Sequence, residues 1–193
     1  MTRIVAGNFR GRKLSVPASG TRPTSERVRE ALFSRLETWD ELQDAKVLDL
    51  FAGSGALGIE AVSRGAAQAT LVDFGAAAVT CCKANVAATG KPAQFQVLRA
   101  DAVKFANNPG MGNYTLVFLD PPYDFPAKQM IQVLEGLRSH LVDNALLVVE
   151  TSTRTAEPTW PADYVLESSR DWGETRAWFV TYAPNGLLED EEE

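Results

Sequence analysis

From residue 46 the chain alternates strand-like and helix-like segments, and that alternation restricts the fold more than any other feature of its 193 residues. Lys46–Leu50, Ala69–Asp73, Phe95–Arg99, Tyr114–Leu119 and Ala145–Glu150 are short, apolar and suited to strands. Between them lie helical stretches at Ala56–Arg64, Ala76–Thr89, a short segment after Asp101, and Ala127–Leu141. Such an order builds a parallel sheet covered on both faces. Tyr164–Ser169 and Arg176–Ala183 follow with no helix between them, which predicts an antiparallel hairpin closing a seven-stranded, mostly parallel sheet.

The first 38 residues differ from this pattern. Arg3–Gly7 and Arg12–Val16 suggest a basic β-hairpin, and the turn-rich stretch Pro17–Pro23 precedes an amphipathic helix over 25–38. Thr24 or Ser25 can cap that helix. The expected division is 1–38 for the basic hairpin and helix, 39–184 for the sheet domain, and 185–193 for an acidic, disordered tail.

Formal net charge is −6, but five acids fall in the tail Glu189–Glu193, and the remainder carries only −1. The first 30 residues hold seven arginines and lysines against two glutamates. A basic end on a near-neutral body suits a local phosphate footprint. No apolar run approaches the ~20 residues needed to span a bilayer, and no signal-peptide core is present. A cytoplasmic protein without membrane contact is expected. Cys81 and Cys82 are adjacent in a helical stretch and serve as small packing residues, and zinc-ligand spacing is absent. His140, at the end of a helical stretch, is expected to face solvent or to cap that helix.

Two segments carry chemistry. Val47-Leu48-Asp49-Leu50-Phe51-Ala52-Gly53-Ser54-Gly55-Ala56-Leu57-Gly58 is a strand, a glycine turn and a helix start, and an acid, Asp73, ends the next strand. The pattern fits a nucleotide whose ribose diol meets Asp73. Asp49 stands just before the turn, where it would repel a pyrophosphate but suit a cationic amino-acid group. A third strand-end acid, Asp101, can accept from an adenine amine. Together the three favour S-adenosylmethionine over NAD, although each acid alone could simply cap a helix. The second segment, Asp120-Pro121-Pro122-Tyr123, ends an apolar strand with a carboxylate, a stiff backbone and a π-face. That combination suits an amine-bearing base held flat.

These motifs resemble those of class I S-adenosylmethionine-dependent methyltransferases acting on amines. Nearly the whole chain is similar to the bacterial 16S ribosomal RNA (guanine-N2)-methyltransferase family called RsmD. Arg3-Ile4-Val5-Ala6-Gly7, Gly11-Arg12-Lys13-Leu14 and the discriminating segment Thr21-Arg22-Pro23-Thr24-Ser25-Glu26-Arg27-Val28-Arg29-Glu30-Ala31-Leu32-Phe33 carry the specific likeness. Asp49–Gly55 and Asp120–Tyr123 match motifs that many methyltransferases share.

The resemblance implies a Rossmann-like fold and S-adenosylmethionine as cofactor, with no metal. The cofactor would lie against Asp49, Phe51, Ala52, Gly53, Gly55, Asp73, Phe74, Asp101 and Ala102. Asp73 stands where the wider family often has Glu. Asp120, Pro121, Pro122 and Tyr123 would hold the target base. Independently of the resemblance, the basic hairpin and helix are the candidates for nucleic-acid docking, so Arg3, Arg10, Arg12, Lys13, Arg22 and Arg27 are expected to meet the RNA. Arg170-Asp171-Trp172-Gly173 occupies the place of a lysine–tyrosine–glycine pattern, with Trp172 keeping the aromatic character. The implied acceptor is guanine N2 in 16S ribosomal RNA, within a small-subunit particle, and a monomer is expected. Other exocyclic amines (DNA adenine N6, cytosine N4, another RNA), a nicotinamide oxidoreductase and a non-catalytic RNA-binding assembly factor are the competing classes.

Overall fold

The computed structural model describes residues 2–17, 25–110 and 112–186. Arg22, the candidate cap Thr24, most of the turn-rich stretch before it and the acids Glu189–Glu193 lie outside the described residues.

The sheet has seven strands: β3 (Lys46–Asp49), β4 (Gln68–Asp73), β5 (Phe95–Arg99), β6 (Tyr114–Leu119), β7 (Leu141–Ser152), β8 (Tyr164–Trp172) and β9 (Thr175–Tyr182). Their spatial order is β5-β4-β3-β6-β7-β9-β8. The first five run parallel, and β9 pairs antiparallel with both β7 and β8. The mostly parallel α/β sheet with a terminal hairpin is therefore the observed architecture.

Helices α1 (Glu26–Thr38), α2 (Ala56–Ser63) and α3 (Ala76–Ala88) cover one face, while α4 (Ala102–Asn107) and α5 (Ala127–Leu137) cover the other. The alternation of side chains along β6 divides the core between these layers. Leu116 and Phe118 join the α1–α3 side, and Val117 and Leu119 the α4–α5 side. Ser25 caps α1 by accepting the Val28 N–H at 3.2 Å.

The N-terminal pairing is shorter than the sequence suggests. Only β1 (Thr2–Arg3) and β2 (Lys13–Leu14) form a ladder, joined through a single 3-10 turn at Gly7–Phe9. Ile4, Phe9 and Leu14 are buried in the same core as Leu32 and Phe33 of α1. Gly7 sits so close to α2 that a Cβ would fall 1.8 Å from the Ser63 carbonyl oxygen. Only glycine permits that approach.

The helix expected over 127–141 ends earlier. α5 stops at Leu137, a 3-10 turn covers Arg138–His140, and β7 begins at Leu141. His140 does not face solvent, and it meets the end of a different helix from the one expected: it is buried, its Nε2 lies 2.9 Å from the carbonyl of Asn108, the C-cap of α4, and its ring stacks on Phe105. The turn folds back on the end of α4, where an aromatic polar ring fills the gap and meets a backbone carbonyl.

Candidate active site

The chain order reverses between β3 and β6, and ligands of open α/β sheets bind outside the carboxyl ends of the strands at that reversal. Here the strands deliver acids: Asp49 ends β3, Asp73 ends β4, Asp101 follows β5, Asp120 follows β6, and Glu150 lies in the last part of β7.

The glycine turn is built by backbone geometry. Gly53 and Gly55 take left-handed φ values of 55° and 77°, which non-glycine residues adopt at a cost. Gly55 stands directly before α2 and donates its N–H to the Ala52 carbonyl at 2.6 Å, and Ala52 in turn donates its N–H to the Val72 carbonyl at 3.0 Å. The Asp73 carboxylate then locks the turn, accepting the Gly53 N–H at 2.9 Å and the Gly75 N–H at 2.8 Å. Each carboxylate oxygen has a further lone pair for a ligand hydroxyl. Asp101 caps α4 through the Lys104 N–H at 3.0 Å.

Asp49 is buried, and its Oδ2 accepts the Gly58 N–H at 3.0 Å. Its Oδ1 makes no hydrogen bond. Burial raises its carboxyl pKa to about 7, the Gly58 N–H opposes that rise, and the charges of Asp120 and Asp73 add to it. A buried carboxylate with an idle oxygen calls for a cation in the adjoining space.

That space is a cleft of about 650 Å³, lined by Asp49, Phe51, Ala52, Gly53, Asp73, Phe74, Asp101 and Ala102 among others. Phe74 is 69% exposed there, leaving a ring face open for a purine. The cleft suits S-adenosylmethionine: Asp73 for the diol, Phe74 and Asp101 for the base, and Asp49 for the cationic amino-acid arm. Its size is ordinary for a small-molecule site.

A second cavity, about 710 Å³, opens on the other side of Asp120. Its walls include Ser25, Arg27 and Val28 of the α1 entrance, Glu150 and Thr151 of β7, and the β8–β9 turn Asp171–Thr175. Asp120, Pro121 and Tyr123 line both cavities. The turn after β6 closes through the Phe125 N–H to the Pro122 carbonyl at 2.9 Å, and Phe125 packs edge-on against Phe51 at 5.1 Å. Tyr123 is 70% exposed, so its face is open to a planar group. In the β8–β9 turn, Arg176 holds Asp171 by two hydrogen bonds of 2.6 and 2.8 Å and depresses its pKa.

The basic residues divide. Arg27 reaches the second cavity. Arg3 is exposed and pairs with Glu26 at 2.9 Å near the start of α1. Arg10, Arg12 and Lys13 are exposed but lie elsewhere: Arg12 donates to the Ala88 carbonyl at the end of α3, and Phe9 binds Ser63 at the end of α2. Both helices begin at the cleft, so these ends face away from it.

Sequence reasoning did not single out Glu60, Asn85 or Glu150. Glu60 is fully buried and accepts the Val5 and Ala6 N–H groups at 2.9 and 3.0 Å as well as Arg64 Nε at 2.9 Å. Asn85 joins the N-terminal segment to the glycine turn, donating to the Ser15 and Ser54 carbonyls at 2.9 and 2.8 Å. A glutamate and an asparagine inside otherwise apolar helical stretches were the available signal. Cys81 and Cys82 are buried and free.

A seven-stranded sheet of this order, a glycine turn backed by strand-end acids and an acidic Pro-Pro-aromatic turn define a class I S-adenosylmethionine-dependent methyltransferase. A family model described as Conserved hypothetical protein 95 matches residues 2–181. Ribosomal RNA small subunit methyltransferase D of Escherichia coli (strain K12) is 41% identical over 174 residues, 89% of this chain and 85% of that protein. Its Haemophilus influenzae namesake is 38% identical over 152 residues, 77% of this chain and 78% of the relative. Among solved structures, the yhhF chain of Escherichia coli superposes with a TM-score of 0.81 at 39% identity, covering 94% of this chain and 98% of its own. The chain belongs to the Conserved hypothetical protein 95 family and is a homologue of the RsmD-like methyltransferases.

Proposed function

We propose that this protein transfers a methyl group to the exocyclic N2 amine of a guanine in 16S ribosomal RNA, acting as a cytoplasmic monomer on a small-subunit particle. The observation carrying this reading is the meeting of two cavities at Asp120, Pro121 and Tyr123. One cavity has the features of a cofactor cleft, and the other has room for a nucleobase. The ribosomal substrate draws its support from the relatives named ribosomal RNA small subunit methyltransferase D. Within the described residues no helix is long and apolar enough to cross a membrane.

When bound, S-adenosylmethionine supplies an electrophilic methyl group. The residues of the chain do the rest. Tyr123 stacks on the extruded base, a contact that contributes about 1–3 kcal/mol. That contribution offsets part of the few kcal/mol needed to unstack a nucleotide. The Asp120 carboxylate and the Pro121 carbonyl accept the two amine hydrogens. They draw the nitrogen lone pair out of conjugation and aim it at the neighbouring cleft. The proton leaves to Asp120 or to water at the cavity mouth. Arg27 and Arg3, at the start of α1, meet phosphates flanking the flipped nucleotide.

The test is methyl transfer from labelled S-adenosylmethionine onto small-subunit particles from a strain lacking the gene, followed by nucleoside analysis. The expected product is N2-methylguanosine at one position. Label in another nucleoside, or in none, refutes the assignment.

A further inference from the structure

Arg29 forms part of the wall of the cofactor cleft, next to Val16, Pro17 and the glycine turn. Its side chain is only 1% exposed. A guanidinium so far from water needs partners for all its donors, or its desolvation weakens the fold. The pairing here is incomplete. Nη2 donates to Thr2 Oγ1 at 3.1 Å and to the Arg3 carbonyl. Glu60 stands 3.4 Å from Nε without making a hydrogen bond to it, and Nη1 makes none either. Glu60 also serves Arg64 and two backbone N–H groups, so its charge is divided. Desolvation lowers the Arg29 pKa despite Glu60.

The same cleft holds the opposite case, since Asp49 is a buried carboxylate with an idle oxygen. One underpaired cation and one underpaired anion in a single cleft complement a zwitterion. The amino-acid arm of S-adenosylmethionine is such a group, with an ammonium and a carboxylate on one carbon. Asp49 suits the ammonium, and the glycine turn offers backbone donors but no cationic side chain for the carboxylate.

We infer that Arg29 is the anchor for the carboxylate of the cofactor's amino-acid arm, with Nη1 reaching it directly or across one water. The inference rests on the cofactor being S-adenosylmethionine. It also gives the N-terminal segment a part in binding, because the guanidinium that takes the carboxylate holds Thr2 and Arg3 with its other nitrogen.

Calorimetry with two ligands tests the anchor. S-adenosylhomocysteine carries the whole arm, whereas 5′-S-(3-aminopropyl)-5′-thioadenosine keeps the ammonium and lacks the carboxylate. Hydrogen bonds to charged groups predict that the native protein binds the second ligand about 10- to 100-fold more weakly. Arg29→Met is expected to weaken S-adenosylhomocysteine by a similar factor while changing the affinity for the aminopropyl compound less than threefold. Arg29→Lys, which keeps the buried charge, falls between. Equal weakening of both ligands by Arg29→Met would mean a purely structural role and overturn the inference. Should Arg29→Met fail to fold, the native protein and Arg29→Lys decide: equal affinity of the native protein for both ligands overturns the anchor. Failure of the native protein to bind either ligand removes the cofactor assignment itself, and the anchor with it.

Discussion

Asp49 accepts the Gly58 backbone N–H at 3.0 Å through one oxygen, and so ties the end of β3 to the first turn of α2. Its second oxygen makes no hydrogen bond, and burial raises its carboxyl pKa to about 7. A cation bound beside Asp49 would therefore favour its ionised form.

Because a cationic arm favours ionised Asp49, affinity for S-adenosylhomocysteine should rise with pH until about 7 and then level off. Below the midpoint the slope approaches tenfold per pH unit. Asp49→Asn keeps an oxygen for Gly58 and should give a flat profile at reduced affinity. Folding stability runs the other way. The folded-state pKa is raised, so the contribution of the neutral carboxyl is complete below the unfolded value of 3.8 and lost as pH rises through about 7. Calorimetry and urea melts between pH 5.5 and 8.5 measure both trends.

Glu60 is the shared counter-charge for two arginines whose side chains are 1–2% exposed, Arg29 and Arg64. Removing one member of a buried ion cluster leaves uncompensated charge and costs about 3–5 kcal/mol. Glu60→Ala should lose stability of that order in a urea melt. Arg64 retains Glu30 and Glu37 as half-exposed partners, so Arg29 suffers more of the loss.

Arg27 lines the second cavity, whereas Arg12 meets the far end of α3. Arg27→Glu should weaken RNA binding and reduce the salt slope by about one unit, as expected for one lost phosphate contact. Arg10→Glu should change either quantity much less. A filter-binding series from 50 to about 200 mM salt separates the two. Equal losses would place the RNA across the back of α2 and α3 as well.

Tyr123 offers an open ring face at the junction of the cavities. Tyr123→Ala should raise the KM for the RNA acceptor about 5- to 100-fold by removing a stacking partner. Tyr123→Phe should stay close to the native value, and steady-state kinetics measures both.

Asp49, Asp73, Asp101 and Asp120 were legible in the sequence because each follows an apolar run at or just before a turn or helix, whereas Glu150 lies inside β7 and was not. The parallel strand direction then places these four at one edge of the sheet. The glycine turn was legible for a similar reason, since left-handed backbone leaves a residue signature at Gly53 and Gly55. The second cavity was not, because three distant segments join the Asp120–Tyr123 turn in its walls: the start of α1, the end of β7 and the β8–β9 turn. The Arg29–Glu60 pair was hidden for a different reason. In a hairpin-and-helix segment rich in arginine, one arginine that turns inward looks like the others. The location of Arg10 and Arg12 was likewise illegible, since charge composition carries no direction. His140 looked terminal because the helix pattern hides where α5 gives way to a 3-10 turn.

The proposed methyl transfer depends most on Asp120, which would prepare the amine. The direct measurement is single-turnover transfer of labelled methyl to small-subunit particles by native protein and Asp120→Asn, with S-adenosylhomocysteine affinity measured on the same samples. Loss of an electrostatic contact made in the transition state costs about 100- to 1,000-fold in rate. A loss of at least that size is expected, with cofactor affinity within threefold of native. A rate within tenfold of native would contradict it.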